Sequence, residues 1–69
     1  MEFPALLSAF MRQWNVNKGE AGTILGISTS SRKDYANGTT DAPQTVLYSI
    51  VAHMALSVSA RNKIKRDRL

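Results

Sequence analysis

Apolar side chains recur at helical spacing along most of this chain, and short polar stretches separate the runs. Near the start, Leu6, Leu7, Phe10, Met11 and Trp14 fall on one helical face, and Pro4 suits a first helical position. Asn15-Val16-Asn17 connects to a second helix expected from about Lys18 to Leu25, with Ala21, Ile24 and Leu25 facing inward. Asn17 is its N-cap, and Glu20, three residues on, has the spacing of a capping box. Gly26 ends that helix because glycine takes the left-handed conformation at little steric cost. Ile27 follows as an apolar plug, and Ser28 caps a third helix that stops at Asn37-Gly38. The polar loop Thr39-Thr40-Asp41-Ala42 leads to Pro43, which opens a long helix running to about Val58. Along it Val46, Leu47, Ile50, Val51, Met54 and Val58 share one stripe, and Ala52, Ala55 and Leu56 widen the apolar surface. That is more apolar surface than one small domain needs, and a partner would cover the surplus. The pattern leaves open whether helix continues through Ala60–Lys65 or the end of the chain frays. No alternating run flanks Asn37-Gly38, so its hairpin character has nothing to act on. The expected fold is all-α, a small bundle of four to five helices.

Two glycines lie inside the second helix, and each disfavours helix by roughly 1 kcal/mol relative to alanine. Gly19 sits in the first turn, where that matters little. Gly22, next to Ala21, points to close approach by another part of the chain. A helix, a short turn containing glycine and a second helix form the helix-turn-helix unit, which offers its second helix to the DNA major groove. Residues 17–38 read as that unit.

Composition narrows the classes. Sixty-nine residues make one domain with a core small enough for marginal stability, for which oligomerisation is a common remedy. The absence of cysteine excludes disulfides and zinc–thiolate sites and suits a reducing compartment, so a cytoplasmic location is expected. MEFPALLSAFMRQW lacks the basic start and long apolar run of a signal peptide, and no stretch of about 18 apolar residues could span a membrane. The net charge of +4 is uneven. Residues 1–60 hold four basic and four acidic side chains, whereas RNKIKRDRL, residues 61–69, holds five basic and one acidic. The expected organisation is a domain over 1–60 followed by a basic tail over 61–69. Such a tail favours phosphate backbones through counterion release, with Arg61 and Lys63 as contacts, although a merely solvated end fits the same residues.

Enzyme chemistry finds little support. His53 is the only histidine and has no second ligand of metal-binding spacing, so a surface or interface role suits it better. The serines lack a histidine partner of plausible geometry or a nucleophile elbow. The glycines at 19, 22, 26 and 38 form no phosphate loop, since no GKS or GKT follows them. Neither a cofactor, a metal nor a small-molecule substrate is expected.

ILGIS, Gly22, Gly26 and the closing Tyr35-Ala36-Asn37-Gly38 together resemble the Cro/phage-repressor class of helix-turn-helix proteins. APQTVLYSIVAHMA resembles the helix that follows the motif in a common bacterial and phage subgroup, most closely the anti-CRISPR-associated regulators. The likeness covers roughly residues 16–56. It implies a homodimer on an inverted repeat of double-stranded DNA, repressing its own operon. Carried over by position, Thr29, Ser30 and Lys33 meet base edges, while Lys18 and Ser28 meet phosphates at helix N-termini. Tyr35 is more naturally a core or half-core residue whose hydroxyl reaches a phosphate. Where the family places a branched apolar residue, this chain has Arg32. Since a buried unpaired guanidinium is very unfavourable, either its stem packs with the head outward or the helix is shifted. Either way Arg32 can reach bases. Beside Asp34, Arg32 and Lys33 also fit an ordinary solvated face. The helix of residues 43–58 is expected to dimerise through Val46, Ile50, Val51, Met54 and Val58. The alternative function is a protein-interaction module, an antitoxin, inhibitor or adaptor, docking through that apolar helix.

Overall fold

The computed structural model describes residues 2–69. Five helices follow one another: α1 (Phe3–Trp14), α2 (Lys18–Leu25), α3 (Thr29–Asn37), α4 (Gln44–Met54) and α5 (Val58–Arg68). No strand occurs among the described residues.

The core is built chiefly by α1. Phe3, Leu6, Leu7, Phe10 and Trp14 are buried along one side of it, joined by Ala21 and Ile24 from α2 and Ile50 from α4. Phe10, Ile24 and Ile50 have the least exposed surface of the large side chains, which puts the centre of the core where α1, α2 and α4 meet. Met11, expected in the stripe, is only partly buried, and Phe3 extends the stripe one turn earlier. Asn15 ends α1 in the left-handed conformation, φ 53°, which asparagine tolerates better than most residues.

The caps of α2 and α3 form where the sequence puts them. Asn17 Oδ1 accepts from the Glu20 amide at 2.8 Å, and Glu20 Oε1 accepts from the Asn17 amide at 3.0 Å, closing the capping box. At the other end Gly26 has φ 71°, its amide donates to Thr23 O, and the Ile27 amide donates to Gly22 O at 2.9 Å. That pair of bonds is a Schellman motif, which needs a residue at positive φ and satisfies two otherwise orphaned carbonyls. Folding the turn back brings the Ile27 carbonyl to 3.1 Å from where a Cβ would stand on Gly22, the close approach that the glycine permits. Ser28 Oγ then accepts from the Ser31 amide to start α3, and Gly38, φ 77°, ends it.

The single long helix expected from Pro43 to Val58 is two helices. Pro43 is the N-cap of α4 rather than its first residue, α4 ends at Met54, and Ala55–Ser57 form a corner. Ser57 Oγ accepts from the Ala60 amide at 3.2 Å, so a serine cap starts α5 where a continuing helix would have left that hydroxyl outside. Residues 61–69 are therefore part of a docked helix up to Arg68. Along α5, Arg61 donates to Gln13 O at 3.0 Å, Lys65 to Trp14 O at 2.9 Å, and Arg68 to Ile24 O. These acceptors lie in the last turns of α1 and α2, where carbonyls lack helical partners and the helix dipole favours a cation. Arg68 also reaches His53 Nε2 at 3.4 Å, and His53 Nδ1 lies 2.6 Å from Ser49 O. A carbonyl only accepts, so Nδ1 carries the proton and Nε2 is the acceptor for Arg68.

Two stability outcomes follow from the turn and the docked helix. Gly26→Ala should destabilise the chain by about 1–2 kcal/mol, and Gly26→Asn by less, read from urea denaturation midpoints. Lys65→Ala with Arg68→Ala should cost about 1–2 kcal/mol in total and raise amide exchange along α5 first. Unchanged midpoint and exchange would mean that the two cations do not hold the helix.

Candidate nucleic-acid interface

The surface built by α2, its turn and α3 carries the residues singled out for DNA contact. Although capped at both ends, α3 has no buried residue at all. Thr29, Ser30 and Lys33 are exposed on its first half, and Ser28, its N-cap, is exposed beside them. Ser28 Oγ spends an acceptor position on the Ser31 amide, which leaves the hydroxyl proton free for another acceptor. Lys18 is exposed in the first turn of α2. Each helix therefore brings a polar side chain to an end where leading amides point outward.

Arg32 resolves in favour of the outward head. Its Cδ and Nε both lie 3.9 Å from the position a Gly22 Cβ would take, and the residue is half-buried. The stem thus lies over the glycine of α2. No rotation of α3 is needed to avoid burying the charge. Tyr35 is half-buried and meets Phe3 edge-to-face, ring centres 5.3 Å apart, so its ring is packing that fastens α3 to α1.

Two expected groups need correction. Arg61 is a poor phosphate contact: it is half-buried, its Nη1 is engaged with Gln13 O, and its Nε is enclosed without a partner. Lys63, by contrast, is exposed, as is Arg66 one turn on. In the proposed dimer interface, Ile50 has no exposed surface and belongs to the monomer core, so it cannot meet a partner. Val46 and Met54 are partly buried against the same core. The stripe Val46–Ile50–Met54 faces inward because α1 needs a partner for Phe10, and that demand is met within the chain.

The outward face of α4 lies on the other side of the helix. Tyr48 is 68% exposed and Val51 52%, and Ala52 and Ala55 are exposed beside them, at spacing i, i+3, i+4, i+7. Val58, 62% exposed, follows at the start of α5. Tyr48 and Ala52 lie off the stripe of Val46, Ile50 and Met54, and nothing in the sequence pattern marks Tyr48 as the most exposed large apolar side chain of this face. α4 contains no Lys, Arg, Asp or Glu, so this face is uncharged.

No helix is long and apolar enough to cross a membrane among the described residues. The chain matches no family model, no curated protein and no solved structure.

Proposed function

We propose that the chain is a sequence-specific DNA-binding regulator, a dimeric repressor acting on an inverted repeat at its own operon. The observation that carries this reading is α3. A domain this small has little core to spare, yet nine of its residues form a helix with none buried, capped at both ends and aimed by a tight turn. Such a helix contributes little to the core, and its polar outer face is available for recognition. Thr29 and Ser30 hydroxyls donate to or accept from base edges, the Thr29 methyl suits thymine, and Lys33 donates to guanine O6 and N7. Arg32, its stem packed over Gly22, adds a guanidinium that can pair with guanine. Lys18 and Ser28 hold phosphates at the two helix N-termini, and Lys63 with Arg66 adds a salt-dependent backbone term.

One recognition helix makes few base contacts, so two are linked. The uncharged face of Tyr48, Val51, Ala52, Ala55 and Val58 is where two copies of a +4 chain meet without opposing like charges. Repression is then steric, a dimer on promoter DNA excluding polymerase. A second reading is favoured by the same face: an interaction module whose partner is another protein docking on Tyr48 and Val51. Salt separates them, because phosphate contacts weaken steeply as salt rises whereas an apolar contact does not.

Fluorescence anisotropy with DNA from just upstream of the protein's own gene, against a scrambled duplex, tests the first reading. Lys33→Ala should reduce specific binding by roughly 1–3 kcal/mol and relax base preference, with non-specific binding changed little. Equal binding to both duplexes by the wild-type chain would remove the regulator. For the dimer, Tyr48→Asp and Val51→Asp should give folded monomers in sedimentation, because neither side chain enters the core. A dimer that survives both substitutions would put the interface elsewhere.

A further inference from the structure

Three cations of α5 occupy carbonyls in the last turns of α1 and α2, but the last turn of α3 is served differently. The Thr40 amide donates to Asp34 O at 3.3 Å, and no described side chain donates to the carbonyls of Tyr35, Ala36 or Asn37. That end of α3 opens onto a groove of about 440 Å³, closed on its other side by the start of α1. It lies at the far end of α1 from Gln13 and Trp14, where α5 docks, a helix length of about 18 Å away. The groove lies at the opposite end of α3 from Ser28, Thr29 and Ser30.

Its charged side chains are of one sign. The half-buried ring of Tyr35, backed edge-to-face by the buried Phe3, gives it an aromatic wall, with Leu47 beside it, and Glu2 and Asp41 stand on its rim. Both carboxylates are on exposed residues, and no hydrogen bond from a described residue reaches either. The C-terminal end of α3 adds the negative end of a helix dipole, while the start of α1 on the other side sets a positive end beside Glu2. A phosphate or a nucleic acid is repelled here by both carboxylates and by the end of α3. An apolar side chain would cover the rings and desolvate two carboxylates with nothing in return. A side chain with a long apolar stem and a cationic head satisfies both parts. Its stem lies on the aromatic wall, and its head meets carboxylate and carbonyl oxygens. Arginine suits best, since its fork of donors can serve a carboxylate and a helix-end carbonyl together. Within this molecule Arg61 and Arg68 already donate to helix-end carbonyls, those of Gln13 and Ile24. We infer that the groove docks a basic segment of a protein partner, which inserts an arginine side chain between Glu2, Asp41 and the end of α3.

Amide NMR of the isotope-labelled full chain tests this with two short peptides, blocked at both ends. One carries a central arginine, and the other has citrulline, its uncharged analogue, in that place. The arginine peptide should shift the Asn37, Gly38, Thr40 and Asp41 amides saturably, and the citrulline peptide should bind about tenfold more weakly or worse. A Glu2→Gln, Asp41→Asn double variant should lose a similar factor for the arginine peptide and keep its spectrum elsewhere, since both side chains are exposed. No saturable shift, equal binding of the two peptides, shifts spread over other acidic residues, or a double variant that binds like the wild type would each overturn the inference.

Discussion

The geometry of this small fold turns on the 3.1 Å between the Ile27 carbonyl and the place where a side chain would begin on Gly22. The Schellman turn can close with its amides on Gly22 O and Thr23 O only if the backbone passes this near to α2. A side chain at position 22 would require the Ile27 carbonyl to give way by a few tenths of an ångström, and it would stand in ordinary contact with the stem of Arg32. Position 22 is thus where α2, the turn and α3 come together. Gly26 is needed for a separate reason: its positive φ sets the direction in which the chain leaves α2.

A core of eight buried apolar residues is small, and the rest of the fold has to limit how much backbone it leaves unsatisfied. The ends of α1 and α2 would be weak points, with carbonyls pointing past the last turn. α5 lies across both and fills them with Arg61, Lys65 and Arg68, while Ile64 packs on the core beneath. Each contact is modest, since these side chains are only partly removed from water. Together they join elements more than forty residues apart in sequence and make the last helix part of the domain.

What could be read from the sequence was the local part. Asn17 with Glu20, Gly26, Ser28 and Gly38 act on backbone within a few residues of themselves, and each stands where its chemistry indicated. The stripe of α1 was legible because a helix one-sidedly apolar has to bury that side. The break at Ala55–Ser57 was not, because Val51, Met54 and Val58 keep helical spacing straight through it. Periodicity cannot tell a continuous helix from two helices whose stripes happen to remain in phase. Ile50 raised a related difficulty: an apolar stripe shows that a face is covered, not whether the cover comes from the same chain. The docking of α5 depends on carbonyls at Gln13, Trp14 and Ile24, and a backbone oxygen has no sequence signature.

The use of α5's cations changes what the net charge means. Nine lysines and arginines give the chain its +4, and three of them are spent on helix ends. The exposed cations without a helix-end carbonyl are dispersed: Lys18 and Lys33 on α2 and α3, Lys63 and Arg66 on the outside of α5, Arg12 on α1. Glu2 and Asp41 stand apart from these, at the groove beside the end of α3. A uniformly basic surface would hold any polyanion without distinguishing sequences. Under the proposed function, discrete cations on rigid helices, with an uncharged α4 face and an acidic groove elsewhere, would let DNA, a second copy and a basic protein segment be engaged at separate places. The separation matters because a polyanion and a cationic segment cannot share one field. In a chain of 69 residues it is obtained by engaging part of the basic charge with helix-end carbonyls.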